Sequence, residues 1–405
     1  MKILLANKYF YLKGGSEYVF FETAELLKKK GHEVVFISMQ HPQNVPSEYE
    51  KYFVSNVDYE QSGLKNNIVA SLKLLYSFEA KINIEELIKK EKPDIAHLHN
   101  IHHQISPSIL HSIKKFNIPV VLTLHDYKMV CAFYSMLADV KICEACKNGR
   151  YYYCFLKACV KDSRVKSLLN TIEMYLHHRI LRIYDMVDVF ISPSRFLKLK
   201  LEEMGFKGNI VYLPNFVNLE DYKPQYDWQE NSIVYFGRLS KEKGLFTLIE
   251  AMRGLEIKLK IIGEGPIKED LKRRAFDAGN RNIEFLGYKT GEELKNEIRK
   301  SMFFILPSEW YENNPRSVIE AFALGKPVIG ARIGGIPELV KDNETGLTFE
   351  PGNSEDLRSK IEYLINKPEK IVEMGKNARE FVVREFDAEK HYRRLMEIYN
   401  SVLGR

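Results

Sequence analysis

Glu312 and Glu320 bracket the start of an apolar helix in YENNPRSVIE. Asn before Pro favours a helix beginning, with Pro315 at the first helical position where it forfeits no hydrogen bond, and a carboxylate nearby suits the helix dipole. That accounts for Glu312 but not for Glu320. The second carboxylate falls more than a turn into the helix, among Ile319, Ala321 and Phe322, where it needs either a partner or a solvated face. In YFGRLSKEKG, Arg238 follows an apolar run and Lys243 precedes a helix, with Gly237 and Gly244 allowing close backbone approach. Two cations at a strand end beside a helix N-terminus can hold a diphosphate, although an ordinary strand–turn–helix loop reads the same way. IIGEGP repeats the layout, its Gly263 and Gly265 serving a tight turn or a ligand. His125 closes the run VVLTLH, as a half-buried structural histidine or as a cleft residue.

A second constellation lies in residues 127–163, which hold all five cysteines. Cys143-x2-Cys146 followed by Cys154-x4-Cys159 presents four thiols at spacings that suit a structural, tetrahedral zinc ion. A loop of this length without secondary structure of its own needs such a staple. Disulfides are disfavoured in a cytosolic protein, an iron–sulfur cluster lacks a typical spacing here, and free thiols are the alternative. Cys131 is left over.

The elements that must position these residues alternate from the first residue onward. KILLANK, HEVVFIS, DIAHLHN, IPVVLTLHD, VDVFISPS and IVYLPN are short Val-, Ile- and Leu-rich runs separated by amphipathic stretches. Such runs are strands buried on both faces, as in a parallel sheet covered by helices. Residues 213–232, LPNFVNLEDYKPQYDWQENS, break the pattern with two prolines and no period, and read as an interdomain linker. The alternation then resumes through IVYFGRLS, KLKIIGEG, IEFLGYK, MFFILPS, KPVIGA and GLTFEP, followed by helices from Ser354 to Leu403 interrupted near Pro368 and Phe386. Two α/β halves with a ligand crevice between them follow, in a chain long enough for two cores.

Lysine and arginine number 60 against 54 aspartates and glutamates, with no long single-sign block. No basic stripe or recognition module points to nucleic acid. The mild excess suits peripheral contact with an anionic membrane surface but does not require it. No apolar run approaches the length of a membrane span and no secretion signal opens the chain. The expected location is the cytoplasm, with peripheral contact at the inner membrane face.

Taken together, FGRLSKEKG, IIGEGP, FLGY, the E-x7-E pair and GKPVIGARIGGIPELV resemble the donor-binding domain of the retaining family 4 glycosyltransferases, in order and spacing across residues 230–350. GGSE after the first strand, HLHN and LTLHDY fit the amino-terminal half. The resemblance implies a GT-B fold: two Rossmann-like α/β/α domains facing a cleft. Residues 1–215 would form the acceptor side with its Cys-rich insertion, 216–385 the nucleotide-sugar donor domain, and 386–405 a helix packing back on the first domain. It implies that Glu320 accepts hydrogen bonds from ribose hydroxyls and that Glu312 faces the donor sugar. The intervening Asn313, Asn314, Pro315 and Arg316 would approach the sugar hydroxyls, with backbone amides as donors. Gly263 and Tyr288 join the donor site, and Gly14 and Gly15 approach the diphosphate and acceptor. Arg238 and Lys243 would neutralise the leaving diphosphate, while His125, fixed by Asp126, lies near the reacting sugar.

No D-x-D cluster stands at a strand end, which agrees with the family's metal-free chemistry, so no catalytic metal is expected. The anomeric configuration would be retained, with a leaving phosphate oxygen as base. Where the family's commonest pattern has Gly-Phe-Gly after the first glutamate, this chain has Asn313-Asn314-Pro315, at positions that touch the donor sugar. The expected activity is transfer of a hexosyl unit from a nucleotide-diphosphate sugar, a UDP-sugar foremost, to a glycan or lipid-linked glycan in cell-surface polysaccharide biosynthesis. A sugar-nucleotide epimerase of the same fold is the enzymatic rival, and a non-catalytic sugar-nucleotide-binding protein the rival of another class. His125, Arg238, Lys243 and the E-x7-E pair argue against both.

Overall fold

The computed structural model describes residues 1–56 and 73–404. Its first sheet is built from β1 (Lys2–Ala6), β2 (Glu33–Ile37), β3 (Ile95–Leu98) and β4 (Val120–Thr123), and, after a small hairpin of β5 (Leu137–Ala138) and β6 (Lys141–Ile142), from β7 (Val189–Ser192) and β8 (Ile210–Tyr212). The second uses β9 (Ser232–Phe236), β10 (Lys258–Ile262), β11 (Ile283–Gly287), β12 (Phe304–Leu306), β13 (Val328–Ala331) and β14 (Gly346–Phe349). Both six-stranded sheets are wholly parallel, ordered β2-β1-β3-β4-β7-β8 and β11-β10-β9-β12-β13-β14. The apolar runs read from sequence are these strands, buried on both faces by helices except at the edge strands β8 and β11, which are partly exposed.

The order reverses between β1 and β3 in the first sheet and between β9 and β12 in the second. Loops leaving the carboxyl ends of neighbouring strands diverge at such a point and open a crevice. Gly14 and Gly15 follow β1, Arg238 and Lys243 follow β9, and Glu312 follows β12. The topology therefore delivers the suspected chemistry to both switch points.

Residues 213–231 join β8 to β9 with one short 3₁₀ turn at Leu219–Asp221. The Ala388–Leu403 helix returns to the first sheet, where Leu395 and Tyr399 are fully buried in the cluster holding Ile3, Leu5 and Phe20. Burying two side chains of that size contributes about 1.5–3 kcal/mol each.

The Cys-rich segment is not the bare loop expected from sequence. Besides the β5–β6 hairpin it contains a short helix, Tyr152–Leu156, and it packs Ala132, Cys146, Tyr151 and Cys154 around Met174 of the following Arg164–Tyr175 helix. The two-residue strands are too short to show a period. Underneath, Lys128 Nζ donates to Glu173 Oε2 at 2.7 Å with both side chains fully buried.

Candidate active site

On the donor side the two strand-end loops are pressed together. A Cβ on Gly263, at φ +141, would stand 1.9 Å from the Gly237 carbonyl oxygen, so only glycine fits. Arg238 is exposed just beyond, and among the described residues no carboxylate pairs with it. Lys243 Nζ donates to Glu312 Oε1 at 2.6 Å, and Ser308 Oγ donates to the same oxygen at 2.6 Å. Burial opposes ionisation of Glu312, but the Lys243 ammonium and these two hydrogen bonds outweigh it and hold the carboxyl below its usual range. A fixed carboxylate, an ammonium and a free guanidinium at one switch point can together orient a sugar and hold a diphosphate.

The Glu312–Asn313 turn is clamped from behind by Gly334 and Gly335. Gly335 N–H donates to Glu312 O at 2.7 Å, and a Cβ on Gly335 would meet the Asn313 carbonyl oxygen at 1.8 Å. Pro315 proves to be the N-cap rather than the first helical residue, and the helix runs Arg316–Ala323 without a side-chain cap. Of its two preceding asparagines, Asn313 is engaged across the cleft. Ser194 Oγ donates to Asn313 Oδ1 at 2.6 Å and Asn313 Nδ2 to Leu124 O at 3.4 Å, so Asn313 spans the cleft to the residue before His125. Asn314 is buried, and its Oδ1 has no partner among the described residues, leaving an acceptor free for a ligand hydroxyl.

Glu320 does find partners. Arg316 Nε donates to its Oε1 at 2.7 Å and Tyr222 OH donates at 3.2 Å. Arg316 also grips both carboxylate oxygens of Glu22, on the Gly15–Lys29 helix of the opposite half, and lies over the Tyr18 ring. Burial disfavours its cation, yet Glu22 and Glu320 overcompensate and keep the guanidinium charged. Tyr288 is exposed. Gly14 caps the Gly15–Lys29 helix, and a Cβ on Gly15 would meet open space, whereas one on Gly14 would stand 3.6 Å from Glu17 Oε2.

His125 is held by a histidine that sequence reasoning did not single out. His99 Nδ1 and His125 Nε2 share a hydrogen bond at 2.9 Å, with the rings stacked 5.2 Å apart. Asp126, expected to fix His125, instead accepts the Lys128 backbone N–H at 2.9 Å. His97 stacks on the other side of His99 at 4.6 Å and bonds Tyr399 OH and Thr123 Oγ1. His97 and His99 alternate in HLHN and so face one side of β3, and that period was the available signal. Tyr134, from the insertion, stands where the charges of both Asp126 and Arg238 reach it.

Burial pushes His125 down to about 4 and His97 to about 3, from an ordinary 6.5. Between pH 6.5 and these values the unfolded chain binds more protons than the native one, so stability falls as pH falls. Thermal melts across that window should show a steadily decreasing Tm. A Tm independent of pH there would contradict the buried neutral histidines.

Cys146, Cys154 and Cys159 share one apolar cluster, and all five cysteines are free thiols. Burial pushes the thiols of Cys146 and Cys131 up to about 12 and 11. Among the described residues no three His, Cys, Asp or Glu side chains are grouped to hold a metal ion, so the thiols as they stand do not fit a tetrahedral zinc.

Two parallel α/β halves with facing switch points are the GT-B arrangement. Sucrose-phosphate synthase of Thermosynechococcus elongatus shares it over 100% of this chain and 99% of its own, with a TM-score of 0.73 and 20% identity. HepE of Anabaena, solved in complex with UDP-glucose, shares it with a TM-score of 0.69 and 16% identity, over 99% of this chain and 100% of its own. An uncharacterized glycosyltransferase of Methanocaldococcus jannaschii is 26% identical over 407 residues, 99% of each chain. Residues 13–221 match the model of Glycosyltransferase Family 4, and residues 220–381 that of Glycosyl transferases group 1. The chain belongs to glycosyltransferase family 4 and is an enzyme of that class.

Proposed function

We propose that the enzyme transfers a hexosyl unit, with retention, from a UDP-sugar to a glycan or lipid-linked glycan acceptor. The observation that carries this reading is the Lys243–Glu312–Ser308 group, set at the β9–β12 switch point with Asn313 reaching across to the strand end of His125. Arg238 and Lys243 take the diphosphate and stabilise the charge that grows on it as the glycosidic bond breaks. Asn314 Oδ1 and the Glu312 turn meet the sugar hydroxyls. A leaving phosphate oxygen receives the acceptor proton, while His125, neutral at physiological pH, lines the sugar site. Glu320 serves the ribose: its second oxygen is left open by the Arg316 and Tyr222 contacts, which both fall on Oε1. The UDP-glucose complex of HepE favours a uridine nucleotide. Tyr134 of the insertion, exposed where the charges of Asp126 and Arg238 reach it, suits the stacking of an acceptor sugar.

A thermal-shift panel of UDP-, GDP- and ADP-sugars tests the donor, since binding to the native state raises Tm by mass action. A UDP-sugar should give the largest shift. Glu320→Ala should reduce that shift, because each charged hydrogen bond to a ribose hydroxyl contributes about 1.5–3 kcal/mol. Unchanged affinity would remove Glu320 from the site.

Structural zinc at Cys143, Cys146, Cys154 and Cys159 would require these thiols to lose protons and draw together. Elemental analysis of protein purified without chelators decides it. About one zinc per chain, lost in Cys143→Ser, supports the metal; none leaves a thiol cluster held by apolar packing. Among the described residues no helix is long and apolar enough to cross a membrane.

A further inference from the structure

The Arg164–Tyr175 helix is built inside out. Its buried face is mostly polar: Ser167, Asn170, Thr171 and Glu173 point into the protein beside Met174. Each of the four polar residues has a partner there. Ser167 Oγ accepts the Val160 N–H at 3.0 Å, Asn170 Nδ2 donates to Ala132 O at 3.1 Å, Thr171 Oγ1 donates to Ser167 O at 2.8 Å, and Glu173 takes the buried Lys128. Met174 is the one apolar side chain of the helix that is fully buried with them, while Val165, Leu168 and Ile172 are left outside. These three are 79%, 43% and 46% exposed, and their i, i+3, i+7 spacing sets them in one row along the helix. The short Tyr152–Leu156 helix packed beside it adds exposed Tyr152 and Leu156. A surface helix ordinarily turns such a row inward, and an uncovered row of this kind marks a contact surface.

The charges around the row decide what covers it. Arg164 and Lys166 are exposed on the same helix, Lys157 lies just before it and Arg179 just after, whereas Arg182 is paired with Asp185. Of the two carboxylates in residues 157–179, Glu173 is buried against Lys128, which leaves Asp162 as the exposed one. A second copy docked by a two-fold would set these cations against their own counterparts. An anionic surface complements them, and a row of aliphatic side chains lying along a bilayer needs no matching pocket.

We propose that the exposed face of the Arg164–Tyr175 helix is a docking surface for an anionic lipid bilayer, with Val165, Leu168 and Ile172 entering the interface and the flanking Lys and Arg residues meeting lipid phosphates. The surface belongs to the half that carries His125, and it stands independently of the donor assignment.

Flotation of the full chain with vesicles tests it. The protein should float with mixed phosphatidylcholine and phosphatidylglycerol vesicles and remain at the bottom with phosphatidylcholine alone. Two variants address the two halves of the argument, Val165→Ser/Leu168→Ser/Ile172→Ser and Arg164→Glu/Lys166→Glu. All five positions are exposed, so the fold should tolerate both sets. Each variant should weaken binding about tenfold or more while leaving the donor-induced thermal shift unchanged. Failure of the wild-type chain to float with anionic vesicles would overturn the proposal, as would equal flotation of the triple serine variant. A wild-type dimer that the serine variant dissolves would assign the face to a second copy instead.

Discussion

Lys243→Met should lower turnover by on the order of a hundred- to a thousandfold, the usual cost of removing one preorganised group that stabilises transition-state charge. It should also cost stability. Glu312 is buried and would lose its one charged partner, keeping neutral donors such as Ser308, a loss of about 1–3 kcal/mol. The two effects are separable. In Lys243→Met/Glu312→Gln the orphaned charge is gone, so Tm should recover while turnover does not. Single-turnover measurements at saturating donor, with melts of both variants, check this. Recovery of turnover in the double variant would mean that Lys243 acts only by holding Glu312.

Gly335→Ala should be nearly as damaging although it touches no ligand. Gly335 has φ −83, which alanine adopts freely, so the backbone is not strained by the change. The contact is the difficulty. Its Cβ would lie 1.8 Å from the Asn313 carbonyl oxygen, against backbone that cannot rotate aside as a side chain would. The Glu312–Asn313 turn must therefore move, breaking the Gly335 N–H to Glu312 O bond and shifting the carboxylate from Lys243. A displacement of about 1 Å in a positioning element can cost on the order of a hundredfold in rate. Donor affinity, by thermal shift, should fall with turnover, since Glu312 and Asn314 move together. Wild-type kinetics in Gly335→Ala would show that the turn is not a fixed part of the site.

The sheets were legible because parallel strands covered on both faces are written as unbroken apolar runs. The cations of Arg238 and Lys243 could be placed for the same reason, being anchored to the end of β9. Arg316 was within reach of a local reading, since it stands one helical turn before Glu320. Glu22 was not, because its approach to Arg316 depends on how the two halves meet. His99 and Gly335 were in view as residue types, but their partners depend on which strands are neighbours: β3 beside β4, and β12 beside β13. The Arg164–Tyr175 helix defeats pattern reading altogether. Its apolar period would send Val165, Leu168 and Ile172 inward, whereas Lys128 and the carbonyls of Ala132 and Tyr151 claim the polar face instead.

The proposed function is retaining transfer from a UDP-sugar at the cleft. The most direct measurement is the anomeric configuration of the first-formed product, followed by proton NMR as the enzyme turns over an α-linked UDP-sugar, with water accepting the sugar if no glycan is supplied. Release of UDP and an α-configured sugar, formed before mutarotation, is expected, with loss of both signals in Lys243→Met. A β-configured first product, or release of the sugar with its phosphate still attached, would contradict the proposed function.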